Sequence, residues 1–153
     1  MQIYTQSKPH TKPHTKPQNL KITNLLLFIS FIFFIINSKK NIHEVLLGMC
    51  LIGSIIMSQL FWNNPKKYSL IHKVDAYVAK FSISYFIIYT LLCKNLQISR
   101  MLFYSYIVSL FGIFFSFYMS NYYSSREWCC SNHIYCHGML HICCFIASLY
   151  AFL

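Results

Sequence analysis

The sequence predicts an all-α, polytopic integral membrane protein of about five transmembrane helices in one bundle. Three observations lead there. Of 153 residues, 56% are hydrophobic and 18% aromatic. Only 10% are charged, where a soluble domain carries about a quarter. The apolar residues also gather into five runs of near-membrane length. Such a composition excludes an intrinsically disordered chain, a secreted disulfide scaffold and a multidomain soluble enzyme.

Residues 1–18 stand apart from the rest. The tetrapeptide Lys-Pro-His-Thr repeats from Lys8, placing proline at 9, 13 and 17. That spacing forbids a helix and favours an extended polyproline conformation, so a disordered basic tail is expected. The same residues also read as an arm for anionic lipid headgroups or a histidine-based metal collector.

The expected spans are 20–37, 44–62, 75–93, 101–120 and 133–153. A helix rises 1.5 Å per residue, so about 20 residues cross a hydrocarbon core of about 30 Å. The first span has the shortest apolar run, 22–36, preceded by a polar arm and followed by no small-x-small cleavage site. It reads as a retained signal-anchor. With five spans, Lys8, Lys12, Lys16, Lys21, Lys66, Lys67, Lys73, Lys80 and Arg126 share one side. Lys39, Lys40, Lys94 and Arg100 fall on the other. Cytoplasmic loops carry the excess of Lys and Arg, so the N-terminus is expected in the cytosol and the C-terminus opposite. The seven cysteines, an odd number mostly in or beside apolar runs, do not form a disulfide framework.

In a chain so poor in polar residues, those inside apolar runs carry the functional information. Asp75 is the only aspartate, at the expected mouth of span three. It reads either as a helix N-cap or as a proton-transferring carboxylate beside a metal ligand. Span five carries His133, His137 and His141 at one-turn spacing, with Cys129 and Cys144 close to the same stripe. Such a stripe reads either as half of a zinc site or as a polar helix seam. By topology Ser58, His72, Asp75, His133 and His137 all fall toward one membrane face, with His141 a turn deeper.

This order of residues resembles the CREST superfamily of membrane hydrolases: alkaline ceramidases, progestin and adiponectin receptor-like proteins and hemolysin III-type proteins. The resemblance lies in Ser58-x-x-x-Trp62, in Asp75 and in His137-x-x-x-His141, over roughly residues 45–93 and 130–153. It implies a helical bundle with zinc held by three histidines near one face. His137 and His141 are then zinc ligands, and Ser58 and Asp75 are catalytic groups beside a water that attacks a lipid amide or ester. Trp62 stands where the family places its first histidine ligand. His72, three residues before Asp75, then becomes the third ligand, with His133 as the other candidate. The chain also has two spans fewer than the family, which loss of one helix pair before the last helix would explain.

The resemblance implies a zinc-dependent lipid hydrolase, active or degenerate, drawing an acyl lipid from the bilayer. Two other readings stand beside it. One is a structural or interaction membrane protein whose polar residues only join helices. The other is a metal or haem carrier using Cys129, His133, His137, His141 and Cys144. Membrane lipids are the expected partners under all three. The basic charge follows orientation and the tail, so no nucleic-acid binding is expected.

Overall fold

The computed structural model describes residues 17–94 and 100–153. The tail expected over 1–18 lies outside the described residues except for Pro17 and Gln18, and Gln18 already opens the first helix. The helices are α1 (Gln18–Asn37), α2 (Ile42–Asn63), α3 (Leu70–Ile88), α4 (Arg100–Arg126) and α5 (Ser131–Tyr150). A π-helical turn over Tyr89–Cys93 prolongs α3. All five are long and apolar enough to cross a membrane. Their outward side chains suit lipid rather than water: Ile36, Leu92 and Met101 are 73%, 80% and 83% exposed. The chain is a multi-pass membrane protein with the expected all-α architecture.

Capping chemistry explains where the helices start. At α2 the Asn41 side chain accepts from the Glu44 backbone N–H at 2.9 Å. The Glu44 carboxylate in turn accepts from Ser38 Oγ–H at 2.6 Å, Lys40 N–H at 3.1 Å and Tyr89 O–H at 3.0 Å. An acid at the third helical position satisfies free N–H groups and suits the positive helix end. The π-helical turn lies at the Tyr89 end of α3, where that residue reaches Glu44. Nearby, Lys94 Nζ donates to the Ala151 carbonyl at 2.8 Å, tying α3 to the end of α5.

Helix α3 corrects the expectation most. It begins at Leu70, not at 75, because Ser69 Oγ accepts from the His72 backbone N–H at 3.2 Å. Ser69 is therefore the N-cap, and Asp75 lies more than a turn inside the helix. The N-cap reading of Asp75 is overturned. Helix α4 also outruns its expected end at 120, reaching Arg126. No glycine or proline interrupts 113–126, and Arg126 suits the negative end of the dipole.

The packed pairs run α3–α2–α1–α5–α4, an open ring. Small and polar residues let the backbones approach. Ser148 Oγ donates to Ser30 Oγ at 2.7 Å between α5 and α1, and Ser54 Oγ donates to Ser82 Oγ at 3.0 Å between α2 and α3. Gly112 lets α4 approach α5, since a Cβ there would sit 2.6 Å from Cys143 Sγ and displace that thiol. The ends of the ring, α3 and α4, are consecutive in sequence yet their backbones stay apart, with Ile83 and Ile87 of α3 reaching the core cluster of α4 and α5 through side chains. Between them lies a cavity.

Candidate functional site

The cavity measures about 330 Å³, and its walls include Ser58, His72, Asp75, His137 and His141. All five residues singled out from the sequence therefore share one chamber. Each arrives there for a local reason. Ser58, Phe61 and Trp62 share the buried face of α2 at helical spacing. His72 and Asp75 are one turn apart on α3, and both face the cavity once that helix starts at Leu70. The stripe on α5 is also real: ring centroids are 5.9 Å apart for His133–His137 and 5.0 Å for His137–His141.

The histidines, however, divide into two kinds. His72 Nδ1 accepts from the Tyr68 backbone N–H at 3.2 Å, and His133 Nδ1 accepts from the Cys129 N–H at 3.2 Å. Tyr68 and Cys129 both adopt left-handed backbone, with φ of 65° and 56°. The two helix starts are built alike. In each, an N-cap (Ser69 or Cys130) accepts from the histidine N–H while the ring reaches back to the residue before the cap. A neutral imidazole that accepts through Nδ1 carries its hydrogen on Nε2. His72 and His133 therefore serve their helix starts and present N–H donors.

His137 and His141 are placed otherwise. Thr23 donates its single hydroxyl hydrogen to the Leu20 carbonyl at 3.2 Å. With that donation its oxygen, 2.9 Å from His141 Nδ1, is free to accept from the ring, a tautomer that leaves His141 Nε2 as a bare lone pair. His137 Nδ1 lies 3.1 Å from Ser120 Oγ of α4. Two imidazoles on one tetrahedral zinc, with Zn–N of about 2.0–2.1 Å, have centroids about 5.2 Å apart. The 5.0 Å His137–His141 separation fits that. The third place does not. Trp62 stands edge-on beside the pair, 5.1 Å from His137, and His72 Nδ1 is committed to Tyr68. Among the described residues no group of three or more His, Cys, Asp or Glu side chains is placed to hold a metal ion. As arranged, the donor set does not fit a three-histidine zinc site. The cysteine–histidine stripe does not assemble either. Cys129 is buried in the α4–α5 link, where burial, reinforced by Cys130, pushes its thiol up to about 12.

What the chamber offers instead is unmet hydrogen-bonding capacity in an apolar setting. Ser58 Oγ, Trp62 Nε1, Trp128 Nε1 and Asn24 Oδ1 are buried with no partner among the described residues. Asp75, 9% exposed, forms no side-chain hydrogen bond or ion pair among the described residues. Such groups are costly to bury and mark places where a partner belongs. Leu110, Ile113, Ile83 and Phe86 line the rest of the wall. Lys67 carries the α2–α3 link across to α4, where its ammonium donates to the Ser124 carbonyl and lies 5.6 Å from the Trp128 ring centroid.

Sequence reasoning missed Trp128, Ser120 and Thr23. A signal for Ser120 was present: Ser109, Ser116 and Ser120 recur at helical spacing and are all buried on α4. Thr23 and Trp128 meet the site only through packing of distant segments. Compared with known protein families, curated proteins and solved structures, the chain matches none.

Proposed function

We propose that this protein binds a single-chain amphiphile taken laterally from the bilayer, holding it without hydrolysing it. The observation that carries this reading is the amphipathic cavity between α3 and α4: a polar pole at Ser58, Asp75, His137 and His141 continues into apolar walls. A volume of about 330 Å³ lies within the range of small-ligand sites. The wide spacing of the α3 and α4 backbones offers a route from lipid that avoids water. In this reading the hydrolase-like residues are the remains of a degenerate site. Ser58, Asp75 and the histidine pair recognise a headgroup, while Trp62 occupies the place of a ligand. The excess of Lys and Arg favours a polar pole toward the cytosol.

The test uses the chain's own reporters. Its two tryptophans, Trp62 and Trp128, both line the cavity, so all tryptophan fluorescence comes from the site. Octadecanol dibrominated at mid-chain should quench that fluorescence saturably in maltoside micelles. Ala79→Phe, which fills the α3 wall of the cavity, should abolish the saturable part. Quenching that is linear in quencher, or unchanged by Ala79→Phe, would sink the reading.

A further inference from the structure

The amphiphile reading leaves the chemistry of the headgroup open, and Asp75 narrows it. Among the described residues Asp75 is the only acid lining the cavity. It is nine-tenths buried and has no hydrogen bond or ion pair among the described residues. An unpartnered carboxylate in an apolar setting is strongly disfavoured and calls for a cation or a donor. Among the described residues lining the cavity the one cation, Lys80, does not supply it. Five residues further along α3, it sits about 7.5 Å deeper and about 140° around the helix. Its side chain is exposed.

One turn from Asp75 the cavity wall becomes aromatic. His72, one turn earlier on α3, has its ring 4.9 Å from Phe61 and 5.4 Å from Trp128 by centroid. Trp62 and Trp128 are stacked at 6.4 Å with planes 11° apart. Phe61, Trp62 and Trp128 all line the cavity together with Asp75. One carboxylate among aromatic rings is the combination that recognises an organic ammonium, because the charge and the ring quadrupoles attract the same ion. The unmatched donors Ser58 Oγ and Trp62 Nε1 remain for an oxygen beside that nitrogen.

Resting on the amphiphile reading, we propose that the ligand is a cationic amphiphile. Its aliphatic ammonium sits on Asp75 within the Phe61–Trp62–Trp128 wall, and its chain lies between α3 and α4. Neutral and anionic single-chain lipids lack the group that Asp75 requires and bind more weakly.

The experiment titrates the full chain in maltoside micelles, which carry no ammonium, with mid-chain dibrominated octadecylamine, octadecanol and stearic acid. Tryptophan quenching is the readout. The amine should reach half-quenching at about ten-fold to a hundred-fold lower concentration than the alcohol, as a charge-assisted hydrogen bond implies. The acid should be weakest. Asp75→Asn, nearly identical in shape, should bring the amine to the level of the alcohol measured on the same variant. An amine and an alcohol that titrate together in the wild-type chain overturn the proposal without any variant. A preference that survives Asp75→Asn, or strongest quenching by the acid, overturns it too. Saturable alcohol quenching without amine preference leaves the chamber standing and removes only the ammonium. Absence of saturable quenching by all three removes both.

Discussion

Replacing Trp62 with histidine should create a zinc site. The Trp62 ring lies 5.1 Å from His137, and His137 lies 5.0 Å from His141. Both values are close to the roughly 5.2 Å that two imidazoles on one tetrahedral zinc require. Trp62 is 2% exposed, so the smaller ring leaves a void. Full truncation of a buried tryptophan costs about 3–5 kcal/mol, and an imidazole refills part of the space, so a loss of about 2 kcal/mol is expected. The indole Nε1 has no partner among the described residues, so no hydrogen bond to them is lost with it. Zinc at a hundred times its Kd returns about 2.7 kcal/mol, enough to offset the loss. Metal analysis and thermal melts of detergent-purified protein read both quantities. Trp62→His should melt below wild type without zinc, recover with it, and hold stoichiometric metal that a second change, His137→Ala, removes. A melt indifferent to zinc, or zinc retained after His137→Ala, refutes the placement of Trp62 at a ligand position.

Two further outcomes follow from the structure. Glu44 accepts three hydrogen bonds while 2% exposed, so Glu44→Ala should cost on the order of 3 kcal/mol in SDS-titration unfolding. Tyr89→Phe, which removes only one of those donors, should cost roughly 1 kcal/mol, and equal losses would contradict the network. Burial holds the Cys129 thiol up to about 12, above its ordinary 9.0, so between those values the folded state binds more protons than the unfolded. Stability should therefore fall as pH rises through that window. At pH about 9 iodoacetamide should label exposed Cys93 well before Cys129, as read by peptide mass spectrometry. Matched labelling rates would show that the α4–α5 link is open.

Much of this protein was legible without coordinates. Its sparse charge and five apolar runs determine the membrane and the helix count, because the bilayer is a solvent with one thickness and every backbone group must be satisfied within a helix. Alternation of span direction then brings Ser58, His72, Asp75 and His137 to one face, and the structure gathers them with His141 around one cavity. The roles of those residues were a different matter. Asp75 read naturally as a cap until Ser69 took that place, moving the helix start by five residues. Caps are decided by which hydroxyl meets which free N–H, and an apolar run does not mark that position. His72 and His133 look like ligands in a string of letters, yet their Nδ1 atoms are held by the backbone of Tyr68 and Cys129.

Only the tertiary structure could decide that Trp62 fills the place beside His137, that Thr23 and Ser120 orient the remaining imidazoles, and that α3 and α4 stay apart. The physical reason is range. Hydropathy and helix length act along the chain and are written in local sequence. A cavity is what non-neighbouring helices leave unfilled, and whether a buried polar atom has a partner depends on all of them at once.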